Sequence, residues 1–70
     1  MRYAVVIESA NGNYSAYVPD LPGCVATGAS IEETENSIRE TIAFLLDGIR
    51  EDGVAIPAPS SRVEYVEVAA

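Results

Sequence analysis

The sequence predicts a single α+β domain spanning residues 1–70, with the element order β-β-β-α-β. Two observations carry most of this prediction. Short apolar runs alternate with turn residues over the first third of the chain, as is typical of a strand meander. A long amphipathic stretch with a capping signal follows and indicates one helix. A final β-branched segment, "VEYVEV" at 63–68, completes a four-stranded sheet with the helix on one face.

The first three strands form a predicted antiparallel meander. "RYAVVIE" at 2–8 contains four consecutive apolar residues, which suits a central strand. The Asn11-Gly12 pair is a hairpin signal, so the second strand is expected at 14–19 and the third at 24–28. The last strand, near 62–68, follows the helix and would lie parallel to the first by a right-handed crossover.

The connection between strands two and three, "YVPDLPGCVATG", is predicted to be a shaped corner. Pro19 ends the second strand because proline lacks a ladder donor. Pro22 and Gly23 suit the two central positions of a type II turn, where proline fixes φ and glycine accepts a positive φ. Cys24 has no second cysteine to pair with, so we expect a small buried apolar side chain.

The helix is expected over 30–52. Ser30 followed by Glu33 forms a capping-box pattern, and Gly53 is a natural stop. Thr34 is placed at the edge of the apolar stripe, and Phe44 falls roughly 130° from its centre. The residues predicted to form the buried stripe are Ile31, Ile38, Ile42, Leu45 and Ile49.

Charge and hydropathy exclude several partners. The chain has four Lys plus Arg against eleven Asp plus Glu, a net charge of −7. Such a field repels phosphate, so we expect no binding to nucleic acid or to an anionic membrane. The acids indicate either a basic protein partner or only a well-solvated surface. The longest apolar run is far too short to span a bilayer, and the N-terminus lacks a leader pattern, so a cytoplasmic location is expected.

Catalytic chemistry has little support in the sequence. The chain contains no histidine, so it lacks the usual base that activates a nucleophile. With one cysteine as well, it has no pattern of residues spaced to bind a metal ion. Glu8 and Asp20 are the one carboxylate pair worth considering for metal-dependent hydrolysis. We therefore expect no enzyme activity, no catalytic residues, no cofactor and no metal.

The turn, the cap and the segment after the helix together resemble the HicB-like antitoxin family. The relevant stretches are "YVPDLPGCVATGASIEETENSIRETI" and "LLDGIREDGVAIPAPSS". The resemblance covers about residues 3–68 and implies the family's small, incomplete ribonuclease-H-like domain. It also implies a function: direct binding and neutralisation of HicA, a small basic mRNA-cleaving toxin. Thr34 stands where the family often has alanine.

Many HicB antitoxins continue into a C-terminal DNA-binding domain, and this sequence does not extend past Ala70. Operator binding is therefore not expected of it. The alternative to an antitoxin is an orphan oligomeric domain that binds another protein or a small ligand.

Two sets of contact residues are predicted. A basic toxin would meet the proline corner and the acidic side of the helix, because acids can mimic the charge of RNA. These residues are Asp20, Leu21, Glu32, Glu33, Glu40, Asp47 and Glu51.

A homo-oligomer, most simply a dimer, is expected because one helix cannot cover both apolar faces of the sheet. For Phe44, local cover by the "VAIPAP" segment is an equally good expectation. The oligomer contacts are predicted at Tyr17, Phe44, Val66 and Val68.

Overall fold

The computed structural model describes residues 1–69, which form a three-stranded antiparallel sheet with one helix packed on it. The strands are β1 (Val6–Ala10), β2 (Asn13–Tyr17) and β3 (Val25–Gly28), and the helix is α1 (Ile31–Glu51). The α+β class and the β-β-β-α order are confirmed. The fourth strand is not formed within residues 1–69, so neither the four-stranded sheet nor the ribonuclease-H-like fold is confirmed.

The sheet order is β1-β2-β3, so β2 is the central strand. Val6 pairs with Tyr17 and Ala10 with Asn13, which leaves Asn11 and Gly12 as the hairpin turn. The expected central position of strand one is therefore wrong within one chain: β1 has a hydrogen-bonded neighbour on one side only. The cause is the missing fourth strand, which was expected to cover the other side.

Both ends of α1 follow from the residues predicted to set them. The Ser30 Oγ accepts from the Glu33 amide at 3.1 Å. The Glu33 carboxylate reaches back to the Ala29 amide, one residue beyond the usual capping-box partner. At the other end Gly53 has φ of 69°, and the Gly53 and Val54 amides donate to the carbonyls of Arg50 and Ile49. That pair of bonds is a Schellman motif, which satisfies carbonyls left over at the helix end.

The core lies between α1 and the helix-facing side of the sheet. Ile38 is 2% exposed, as predicted, whereas Ile42, Leu45 and Ile49 are only half-buried around it. Thr34 is completely buried and bonds its hydroxyl to the Ser30 carbonyl at 2.7 Å, which satisfies its polar atom. Ile31 is 54% exposed because it lies at the first helical position, so its predicted place in the buried stripe is wrong. The residues with buried apolar side chains are Ala16, Val18, Leu21, Cys24, Ile38 and Leu46.

The chain after α1 returns to the end of the sheet through Ile56, Pro57 and Ser60–Ser61, but it adds no strand. The Tyr3 hydroxyl donates to the Pro57 carbonyl near the start of β1. The chain then crosses the end of the sheet, and Ser60 and Ser61 bind Asp20 in the β2–β3 connection. A strand beside β1 would have to run along its outer edge, but Ser61 is held at the β2–β3 connection.

Residues 62–69 are exposed and form no strand. We call this segment the C-terminal arm. It contributes to a radius of gyration of 13.8 Å and a longest dimension of 48 Å. A compact chain of this length has a radius near about 11 Å. The molecule is therefore elongated, and the C-terminal arm does not pair with the sheet of its own chain.

Candidate functional site

The Asp20 corner is a hydrogen-bonded clamp rather than a free acidic loop. The Asp20 carboxylate accepts from the amides of Ser60 and Ser61 at 2.9 and 3.0 Å. It also accepts from the hydroxyls of the same two serines at 3.0 and 2.7 Å. These four bonds lower the pKa of Asp20 to about 2, with the Ser61 amide as the largest cause.

The backbone of the corner has the predicted turn. The Cys24 amide donates to the Leu21 carbonyl at 3.0 Å, and Gly23 has φ of 82°, which is the geometry of a type II turn with Pro22 and Gly23 in its centre. The Val18 amide donates to the Cys24 carbonyl at 3.2 Å and closes the corner. Its shape is therefore fixed by residues that the sequence marks clearly.

The side chains of the corner point inward. Leu21 is 2% exposed, so the expectation that it is presented to a partner does not hold in this structure. Its apolar side chain packs in the core against α1. Cys24 is equally buried, as expected, and burial raises the pKa of its thiol. The corner stabilises the subunit and anchors the chain, and sequence reasoning missed its partners Ser60 and Ser61.

The outward face of α1 carries the predicted acids, all of them exposed: Glu32, Glu33, Glu40, Asp47 and Glu51. They do not form one uniform set. Glu33 is engaged in the helix cap, and Asp47 is bonded to Arg50 at 3.3 Å. Glu32 lies in the first turn, where the helix dipole favours an acid.

Phe44 is the large apolar side chain of this face, and it is 83% exposed. Glu40, Asp47 and Glu51 lie four positions before it and three and seven positions after it, which places all four on one stripe of the helix. The expected local cover by residues 54–59 does not occur. We call this stripe the acidic face: an exposed aromatic ring with carboxylates along its flanks.

The sheet face turned away from α1 is uncovered within the subunit. Val6, Tyr17 and Val25 lie opposite one another across the three strands. Tyr17 is 42% and Val25 62% exposed. The predicted oligomer residues Tyr17, Val66 and Val68 are therefore all accessible, but they do not form one patch in a single chain because the last two lie on the C-terminal arm.

Over residues 1–69, no three or more Asp, Glu, Cys or His side chains come together in an arrangement that fits a metal ion. Glu8 and Asp20, the pair considered from sequence, occupy different places: Glu8 is exposed on β1 and Asp20 is bound to the serines. No helix in this part of the chain is long and apolar enough to cross a membrane.

Comparison with known proteins identifies the family. The sequence model of the "HicB_like antitoxin of bacterial toxin-antitoxin system" matches residues 3–69. A UPF0150 protein of Helicobacter pylori is 37% identical over 70 residues, covering 99% of this chain and 97% of that protein. The chain belongs to the HicB-like antitoxin family.

Two further relatives differ in how much of their length the chain covers. An uncharacterised 14.9 kDa protein of Haemophilus phage HP1 is 33% identical over 66 residues. This stretch is 94% of the present chain but 50% of the phage protein, so the chain spans half the length of that relative. A UPF0150 protein of Archaeoglobus fulgidus is 38% identical over 48 residues, 67% of this chain and 70% of that protein. No solved structure matches the chain significantly.

Proposed function

We propose that this protein is an antitoxin that neutralises a small, basic, HicA-like mRNA-cleaving toxin by direct protein–protein contact, without catalysis of its own and in the cytoplasm. The observation that carries the proposal is the acidic face of α1. A toxin that holds RNA needs a cationic surface to contact phosphates. A face lined with carboxylates is complementary to that surface. It would compete with RNA for the cationic side chains of the toxin.

The arrangement around Phe44 fits the centre of such a contact. Interfaces obtain most of their binding energy from a few residues, often aromatic ones, surrounded by polar groups that exclude water. Phe44 supplies the aromatic anchor, and Glu40 and Glu51 supply charges that no arginine of residues 1–69 neutralises. Asp47 already has a partner in Arg50, so we assign it a smaller share.

The proposed contact differs from the sequence-based expectation at the corner. Asp20 is occupied by four internal hydrogen bonds and Leu21 is buried. A toxin would have to break the clamp to reach either one. We therefore place the contact on the helix and give the corner the role of anchoring the chain.

The protein is further proposed to act as a homo-oligomer, most simply a dimer. Tyr17 and Val25 expose an apolar strip on the uncovered sheet face, and Val66 and Val68 are exposed on the arm. Phe44 is assigned to the toxin instead. A symmetric contact between two copies through the acidic face would bring like charges together, which is unfavourable.

Growth rescue tests the proposal. A candidate toxin, chosen as a small basic protein encoded next to the gene, is expressed from an inducible promoter, where it should arrest growth, and the antitoxin is co-expressed. We expect rescue by the wild type and loss of rescue by a variant carrying Glu40→Gln, Phe44→Ala and Glu51→Gln. A variant with Glu8→Gln and Glu35→Gln is the control, because it removes two acids outside the acidic face and should still rescue. Equal rescue by both variants would contradict the proposed surface, and no rescue by the wild type would contradict the function.

A further inference from the structure

A groove runs along the outer edge of β1, between that strand and α1. Its volume is about 490 Å³. Ile38 and Ile42 of the helix and Tyr3, Val5 and Ile7 of the strand region supply its apolar lining. The groove exists because α1 packs mainly over β3 and β2 and makes far fewer contacts with β1.

The groove lies at the one side of β1 that has no neighbouring strand. An edge strand of this kind presents unpaired amides and carbonyls, which is a template for another strand. A strand placed there would complete the backbone pairing of β1 and cover the half-buried Ile7 and Ile42 with its inward side chains. The groove therefore has the shape and chemistry of a vacant strand position.

The C-terminal arm has the properties of the missing strand. Residues 63–68 alternate along an extended chain, so Glu64, Val66 and Val68 share one face and Val63 and Tyr65 share the other. Six extended residues span roughly 20 Å, which is enough to line β1. Val66 is 78% and Val68 73% exposed, so both lack partners in the isolated subunit.

The arm does not lie along its own groove. The clamp holds Ser60 and Ser61 at Asp20 in the β2–β3 connection, whereas the groove lies at the edge of β1 that has no hydrogen-bonded neighbour. The segment from Pro57 to Ser60 runs from Tyr3, just before β1, to this connection. The start of the arm is therefore anchored beside the β2–β3 connection and not beside the open edge of β1.

Charge also matches the arm to the groove. Arg2, Glu35 and Arg39 stand among the groove residues. Arg39 pairs with Glu35, whereas Arg2 has no ion-pair partner within residues 1–69. Glu64 pairs with the exposed Arg62 in the single chain, and it shares a face with Val66 and Val68, so it would enter on the groove side. In a chain with net charge −7, an unpaired arginine beside an apolar groove is a specific complement for an acidic, apolar strand.

From these observations we propose that two copies exchange their C-terminal arms. Residues 63–68 of each copy add to the β1 edge of the other, with Val66 and Val68 over Ile7 and Ile42, and each sheet gains its fourth strand from its partner. The exchange is reciprocal, as a two-fold symmetric dimer requires. This inference does not depend on the toxin and applies to the purified protein alone.

Isotope-filtered NMR tests the exchange directly. Carbon-13-labelled and unlabelled full-length protein are mixed, unfolded and refolded together. Nuclear Overhauser effects are then recorded between protons of differently labelled copies. We expect intermolecular contacts from the methyl groups of Val66 and Val68 to those of Ile7 and Ile42. The same contacts within one copy only would show that the arm folds onto its own sheet, and the absence of any such contacts would show a vacant groove; either result overturns the proposal.

A pair of variants provides an independent test by sedimentation. Val66→Asp places a charge against the apolar groove and should raise the dimer dissociation constant by at least about tenfold. Val54→Asp is the matched control, because Val54 is 60% exposed and lies outside the arm. It should leave the dimer intact, with circular dichroism confirming that both variants are folded. Dimerisation that is equal in the two variants would contradict the exchange.

Discussion

The corner at residues 18–24 and the arm at residues 62–69 are both rich in apolar residues, yet they have opposite fates. Val18, Leu21 and Cys24 are each 2% exposed and their backbone amides are paired, whereas Val66 and Val68 are more than two-thirds exposed. The corner is closed by contacts a few residues apart, which cost little loop entropy. The arm needs the β1 edge, and its anchor holds it away from that edge. A strand-like pattern predicts a strand only where an edge is within reach.

The largest effect is expected in the core beneath the corner. Ile38→Ala should lower the free energy of unfolding by about 2–5 kcal/mol, because it leaves a cavity at a side chain that is 2% exposed. Val66→Ala is the counterpart in the arm and should change the stability of the monomer by less than about 0.5 kcal/mol. Urea denaturation at a concentration that keeps the protein monomeric measures both. Similar urea midpoints for the two variants would contradict the description of Ile38 as buried core and Val66 as exposed arm.

The same substitution should cost less at Ile42 than at Ile38. Ile42 is half-buried and lines the groove, so Ile42→Ala removes fewer contacts in the isolated subunit than the sequence pattern indicated. Denaturation at low and high protein concentration separates the two contributions. If the arm of a second copy covers Ile42, the loss of stability should grow with protein concentration. A loss that does not change with concentration would count against this cover.

A glycine pair tests the packing at the helix start. A Cβ on Gly28 would lie 2.6 Å from the Thr34 hydroxyl and 2.7 Å from the Thr34 amide, so Gly28→Ala forces the backbone of β3 or α1 to move. We expect a loss of about 1–3 kcal/mol in thermal or chemical denaturation.

Gly48→Ala is the control for that substitution. It meets nothing within 4 Å and lies inside α1, so alanine should stabilise the helix by about 0.5–1 kcal/mol. Equal effects at Gly28 and Gly48 would show that β3 does not approach α1 as closely as described.

The smallest effect concerns the clamp and depends on pH. The pKa of Asp20 is about 2 in the folded protein, below its ordinary value of 3.8. The contribution of the carboxylate is therefore fully present above about pH 4 and is lost as the pH falls through 2. We expect the amide proton shifts of Ser60 and Ser61 to titrate in this window, and Asp20→Ala to abolish the titration. Glu8→Ala, at an exposed acid of β1, should leave it unchanged; a titration that persists without Asp20 would rule out the clamp.

Local signals allowed most of the fold to be predicted. The hairpin, the type II turn and both helix ends depend on residues close in sequence, and each was found within a few positions of its expected bounds. The fourth strand could not be placed, because β-branched alternation does not reveal which edge a strand will meet. Leu46 was missed because it lies at the border of the apolar stripe, yet it is 9% exposed.

The candidate site was predictable in its charge but not in its details. The acids of the outer helix are exposed as expected, since helical periodicity alone places them opposite the core. The bonds from Asp20 to Ser60 and Ser61 join residues 40 and 41 positions apart, and no short-range pattern specifies such a contact. The burial of Leu21 was missed for the same reason: proline and glycine define the turn, but the packing of α1 decides which side chain faces inward.

Calorimetric titration with a candidate toxin, a small basic protein encoded next to the gene, tests the central claim most directly. It compares the wild type, the Glu40→Gln/Glu51→Gln variant and the Glu8→Gln/Glu35→Gln variant, each at about 50 mM and about 300 mM salt. The two variants lose the same charge from different surfaces. We predict tight binding by the wild type and the second variant, and binding weakened at least about tenfold in the first, with the difference shrinking at high salt. Equal affinities for the two variants at both salt concentrations would contradict binding through the acidic face, and no binding by the wild type would contradict the antitoxin function itself.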